Sequence, residues 1–246
     1  MNLKTLLHSA ALVALGSLTV AAHADSVSVA ATDVIYYPGN ASAASSIGGT
    51  VPVGISVTGI TSITFSASGT ITLNNSTYND PDGVGAATSM SSNSGTASYG
   101  GITAPGAGYL VGLFTGSSST PGAATNYMAA GAESATSYSP TQNQVFFIGD
   151  GMTGDGTGST QTFYVPTGAT ELYLGISDAG GYNGGPGSYG DNFGSYSVNY
   201  DLTASSGPTP PGGGGTAVTP EPGSLLLLGT GALGFAGALR RRLTTF

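Results

Sequence analysis

The sequence predicts an all-β protein, an antiparallel β-sandwich, on three observations. Apolar residues alternate with polar ones at period two in one segment after another. Clusters of Gly, Asn, Ser and Pro separate those segments. No stretch carries the 3.6-residue apolar period, with caps, that an amphipathic helix needs. Glycine supplies 42 of 246 residues, which suits a chain that turns often.

Along the chain, the first expected strands are Val27–Ile35 and Val51–Val57. Ile63, Phe65 and Ala67 alternate next, then Ile71 and Leu73 as a separate short strand. Tyr109–Phe114, Val145–Ile148 and Thr162–Val165 follow. Thr170–Asp178 puts Leu172, Leu174 and Ile176 on one face, and Ser195–Leu202 does the same with Tyr196, Val198, Tyr200 and Leu202. Of these, Leu172, Leu174, Ile176, Val198 and Leu202 are expected to be buried. Residues 79–101 and 116–143 are long, polar and short of apolar anchors. Eight or nine such strands describe two packed sheets, and an ordered core of about 150 residues is ample for one hydrophobic interior.

The ends read as addresses. Residues 1–24 have the layout of a secretory signal peptide: Lys4, the mostly apolar run Leu6–Val20, and Ala22-His23-Ala24 as a small-x-small cleavage pattern. The alternative for this segment is an N-terminal membrane anchor. The sandwich is expected over 25–204, a Pro/Gly linker over 205–218 and a sorting segment over 219–246. The last contains Pro220-Glu221-Pro222, an apolar run 224–239 near the lower length of a transmembrane helix, and Arg240-Arg241-Arg242. The arginines would hold the end of that helix on the cytoplasmic face.

Charge narrows the chemistry. Between Asp25 and Thr219 there are eleven acids and no Lys, Arg, His, Cys or Trp, a formal charge of −11. Nucleic acid is excluded as a partner, because no cation is present to displace counterions from phosphate. Imidazole and thiolate metal sites, and Ser-His-Asp, Cys-His or Schiff-base catalysis, each lack an obligatory member. Oxygen chemistry remains, which suits calcium. A carboxylate-pair glycosidase also needs no basic side chain. The absence of cysteine means no disulfide framework.

Motif, short span and basic cluster at the extreme end resemble the PEP-CTERM sorting signal. The resemblance implies recognition by an exosortase, a membrane protease, and removal of the helix. In the middle, GYLVGLFTG from Gly108, then QVFFIGDG, TFYVPTGATELYLGISD and GSYGDNFGSYSVNYDL, is similar to the small calcium-dependent galactophilic bacterial lectins of the PA-IL type. Val34-Ile-Tyr-Tyr-Pro-Gly39 also resembles that family. The resemblance implies a jelly-roll or galactose-binding-domain-like sandwich and one calcium ion. Carried over by position, the calcium residues are Asp178, Asp191 and Asn192, with carbonyls near Ser188 and Leu73. The sugar-contacting turn of the family falls on Asp80-Pro81-Asp82-Gly83, and Tyr189, in the Gly-rich loop, is a candidate for stacking on a sugar.

The same residues have plainer readings. Asp80 and Asp82 lie in a Pro-Asp-Gly turn, and Asp150-Gly-Met-Thr-Gly-Asp155-Gly reads as a calcium loop or a hairpin turn. The sequence therefore predicts an exported, non-enzymatic protein of the cell surface or matrix. Its lectin-like domain is expected to bind calcium and a carbohydrate, and it meets the membrane only through the C-terminal helix before processing. The alternative is a structural matrix protein with no ligand site.

Overall fold

The computed structural model describes residues 24–74, 78–84, 96, 98–104, 106–126, 134–154, 156, 158–179, 181 and 184–205. The expected signal peptide, linker, PEP motif, transmembrane helix and arginine cluster lie outside these, apart from residues 24 and 205. Among the described residues no helix is long and apolar enough to cross a membrane.

Twelve strands are described: β1 Asp25–Ala30, β2 Val53–Ser56, β3 Ile60–Thr72, β4 Tyr78–Asn79, β5 Ile102–Thr103, β6 Leu110–Gly116, β7 Thr125–Asn126, β8 Ser137–Tyr138, β9 Val145–Phe147, β10 Thr162–Tyr164, β11 Ala169–Ile176 and β12 Phe193–Ala204. The first sheet runs β1-β12-β3-β10-β8, with β4 added beside β3, and the second runs β2-β11-β6-β9. A small ladder joins β5 and β7. The long ladders are antiparallel, while β10–β8 and β5–β7 are parallel, so the sandwich is antiparallel-rich rather than wholly antiparallel.

The core lies between the two main sheets and follows the alternation. Leu172, Leu174 and Ile176 of β11 and Tyr196 and Val198 of β12 are fully buried. Leu202, expected inside, is only half-buried near the end of β12. Phe146 of one sheet meets Phe163 of the other at 5.7 Å between ring centroids, and Phe163 meets Phe65 edge-on at 5.3 Å. Such pairs each add about 0.5–1.5 kcal/mol beyond the area they bury. Leu110, Val111, Leu113 and Phe114 are all fully buried, so both faces of β6 are covered.

Four local expectations change. The two strands expected at 63–67 and 71–73 are one, β3, because Gly69 bridges them at φ +113°, where a Cβ would stand 2.7 Å from the Ser195 carbonyl oxygen. The first strand ends at Ala30 rather than Ile35, because Asp33 turns the chain: its Oδ2 accepts the Ala30 N–H at 2.8 Å. A short helix, α1 (Ala41–Ser46), forms where none was expected, its first turn capped by Asn40 Oδ1 accepting from the Ala43 N–H at 3.0 Å. Finally, β11 and β12 do not form the hairpin expected to bring Asp178 to Asp191 and Asn192, where one strand ends and the next opens. They belong to different sheets, so the segment from Ser177 to Asn192 crosses from one layer of the sandwich to the other.

Candidate metal site

That crossover brings Asp178 and Asn192 together. Asp178 stands two residues past β11 and Asn192 directly before β12. Both side chains are 3% exposed. Asn192 Nδ2 donates to Asp178 Oδ2 at 3.0 Å and to the Ala31 carbonyl at 3.1 Å. The neck of the loop is closed by a bridge between Ala179 and Pro186 and by the Gly187 N–H donating to the Asp178 carbonyl at 3.3 Å.

The electrostatics are those of a carboxylate without a countercharge. Burial pushes the Asp178 carboxyl up from 3.8 to about 7. Hydrogen bonds from Asn192 and the Ala179 N–H pull it back, and the charge of Asp191 pushes it further up. Asn192 Oδ1 is buried and accepts no hydrogen bond. A buried acceptor left so costs about 1–3 kcal/mol, and a position that retains one calls for an explanation.

The other residues expected at the ion neighbour this pair along the chain and across the ladder. Asp191 ends a 3-10 turn over Tyr189–Asp191 and is exposed. Ser188 precedes that turn in the left-handed region, at φ 63°, a conformation that costs a non-glycine residue of order 1 kcal/mol or more. Leu73 directly follows β3, and the Phe193–Thr72 pair leaves it beside Asn192 at the end of the ladder. Among the described residues, no three acid or histidine side chains gather as a metal cluster. A cation here would rest on two carboxylates and neutral oxygens. The orphaned buried Oδ1 and the all-oxygen donor set fit calcium in kind.

Three expected sugar contacts lie elsewhere in the fold's logic. Tyr189 has no exposure at all. Its hydroxyl donates to the Ile176 carbonyl at 2.7 Å and accepts the Asp178 N–H at 3.0 Å, so its ring offers no face to a ligand. Asp80 and Asp82 form the turn that Pro81 and Gly83 dictate, closed by the Gly83 N–H donating to the Asp80 carbonyl at 2.9 Å. Asp82 Oδ1 faces inward and accepts the Asp150 N–H at 2.9 Å. Asp150 in turn caps its own hairpin, accepting from the Met152 and Gly156 N–H groups at 2.8 and 3.0 Å, while Asp155 lies outside the described residues.

A feature that the sequence did not point to lies nearby. Tyr36, Tyr37, Pro38 and Tyr99, with Asn40, Thr96 and Ser98, line a cavity of about 270 Å³. No charged side chain is among them. Tyr36 is buried, its hydroxyl pushed up to about 12 by burial and hydrogen-bonded to Ser177 Oγ at 2.9 Å, one residue from Asp178. The Tyr36-Tyr37-Pro38 run was the available signal, but Tyr99 joins it only through the folded chain.

The other end of the chain is settled by comparison with known proteins. Residues 218–242 match the PEP-CTERM protein-sorting motif. The PEP-CTERM match takes in Pro220, Glu221, Pro222 and all three arginines, Arg240, Arg241 and Arg242. The chain therefore carries the tail of an exosortase substrate, an exported and sorted protein. No curated protein matches the chain.

Proposed function

We propose that this PEP-CTERM protein is released to the cell surface or matrix by its exosortase. There its lectin-like sandwich binds one calcium ion and, with it, a neutral carbohydrate. Asp178, Asp191 and Asn192 hold the ion, assisted by the Ser188 carbonyl. The observation that carries the reading is Asn192 Oδ1, an acceptor buried without a donor, next to a buried carboxylate without a countercharge. Calcium answers both needs, and when bound it neutralises the two aspartates and offers open coordination positions to hydroxyl oxygens. Asn192 fixes the carboxylate through Nδ2 and leaves Oδ1 for the ion. Asp191, exposed at the rim, completes the charge. The sugar belongs in the cavity of Tyr36, Tyr37 and Tyr99 rather than at Asp80, Asp82 or Tyr189. Phenol rings and uncharged hydroxyl and amide groups suit a neutral polyhydroxylated ring.

With two carboxylates, the affinity expected is that of extracellular modules, on the order of 10⁻⁴–10⁻³ M. Calcium at about a hundred times that Kd stabilises the folded state by about 2.7 kcal/mol. Calorimetry of the mature domain with and without calcium tests this directly. A rise in melting temperature that the double change Asp178→Asn, Asp191→Asn abolishes supports the site. An unchanged wild type refutes it. A glycan screen run with calcium and with chelator tests the second half: binding must require calcium. The competing reading is a purely structural protein. It draws on the same hydrogen bonds, which close the crossover by themselves, and it predicts no response to either ligand.

A further inference from the structure

We infer that Tyr189 is the positioning residue of this site, a buried phenol that ties the Asp178 segment to the Asn192 segment. The inference rests on the calcium reading above and concerns a role that the sequence did not suggest for this tyrosine.

The crossover poses a mechanical problem. Asp178 leaves one sheet and Asn192 enters the other, so neither ladder fixes their separation. Their side chains meet through a single hydrogen bond, Asn192 Nδ2 to Asp178 Oδ2. Backbone connections must therefore set the geometry, and Tyr189 supplies one on each side. Its hydroxyl accepts the Asp178 N–H at 3.0 Å and donates to the Ile176 carbonyl at 2.7 Å, which fixes the chain as it leaves β11. Its carbonyl accepts the Asn192 N–H at 3.3 Å, which fixes the chain as it enters β12. Its own N–H donates to the Ile47 carbonyl at 3.1 Å, anchoring the tie to the turn after α1.

That turn is shaped for it. A Cβ on Gly48 would stand 2.6 Å from the Gly190 backbone, and one on Gly49 would stand 3.3 Å from the Tyr189 Cβ besides striking the Val34 side chain. Two successive glycines thus let the 47–49 backbone press against 189–190. Tyr189 touches both ligating segments while contributing no atom that an ion would need. Residues that orient ligands in this way typically cost 10–100-fold in metal affinity when changed.

The test separates positioning from mere packing by using a second buried phenol. Tyr196 is as buried as Tyr189, and its hydroxyl also donates to backbone carbonyls, Asp80 at 2.6 Å and Gly108 at 2.7 Å. None of those partners belongs to the candidate site. Tyr189→Phe and Tyr196→Phe each remove one buried hydroxyl, and calcium affinity is measured by calorimetric titration well below both melting temperatures. The expected result is a Kd at least about 10-fold weaker for Tyr189→Phe and unchanged for Tyr196→Phe. Equal effects, or none, overturn the positioning role while leaving the calcium site in place. A wild type that binds no calcium overturns both.

Amide hydrogen exchange on the wild-type protein gives an answer even if Tyr189→Phe does not fold. The Asp178 and Asn192 amides, the two that donate to Tyr189, should slow together on calcium addition. Slowing of one without the other, or of neither, overturns the inference.

Discussion

Asp178→Asn keeps the shape of the side chain while removing its charge and exchanging one acceptor oxygen for an NH2 donor. Only the lost charge titrates, so the pH dependence of the difference isolates the electrostatic cost of the crossover. In the calcium-free fold, burial holds this carboxyl at about 7 against an ordinary 3.8. The folded state therefore keeps a proton that the unfolded chain gives up. Between those two values unfolding releases that proton, and stability falls as pH rises. Below 3.8 both states are protonated and nothing is lost. Above about 7 the full cost is present, on the order of 4 kcal/mol from the span of the two values. Asparagine has no such dependence. Urea unfolding in chelator at pH 4, 5.5, 7 and 8 should show the wild type losing stability relative to Asp178→Asn across the window, by a few kcal/mol in all. Asp33, also raised by burial, adds a slope of the same sign to both proteins and cancels in the difference. Saturating calcium should flatten the wild-type slope, since the ion favours the ionised carboxyl. Parallel curves for the two proteins in chelator, or a wild type that gains on the variant as pH rises, would refute the reasoning.

Other changes are expected to act as follows. Asn192→Ala leaves Asp178 Oδ2 and the Ala31 carbonyl without their donor and should cost about 1–3 kcal/mol in chelator, read from the denaturant midpoint, and abolish the calcium response. Gly69→Ala forces a side chain into a left-handed position against Ser195 and should lower the midpoint by an amount worth about 1–3 kcal/mol. Phe163→Ala removes the ring that joins Phe65, Tyr138 and Phe146 and should cost about 3–5 kcal/mol. Protein recovered from the native host should have an intact mass lacking Arg240–Arg242. Trypsin should leave that mature chain whole even in urea, because no Lys or Arg lies between Asp25 and Thr219.

The parts of the fold that obey a local period were legible in advance. The burial of Leu172, Leu174, Ile176 and Val198 follows from alternation alone, while Leu202, expected on the same ground, is only half-buried because its strand is nearing its end. The continuity of β3 through Gly69 was not legible, because glycine reads as a break until the neighbouring strand shows why no side chain fits there. Layer assignment was hidden as well. Two strands separated by a Gly-rich loop read equally as a hairpin or as a crossing between sheets, and only the ladders of β11 and β12 decide it. Within the site, the lectin resemblance put Asp178 and Asn192 together, although a crossing between sheets and not a hairpin is what joins them. The inward turn of Tyr189 could not be expected. A tyrosine among glycines reads as exposed, and its partners are backbone groups 11 and 13 residues away, which carry no signature of their own.

The place of β12 in the fold also bears on how such a protein would behave under load. Asn192 lies immediately before the first residue of β12, and the strand runs on to Ala204, where the chain leaves for its sorting tail. A protein gripped at the Asn192 end and tethered through the other would be pulled along the length of this one strand. β12 is flanked on both sides, by β1 over Asp25–Ala30 and by β3 from Ile60 to Thr72. Force in that direction runs along the covalent backbone of an already extended strand, so the ladders to β1 and β3 on either side are not peeled open. The same strand that closes the sandwich is thus oriented to act as its tension member.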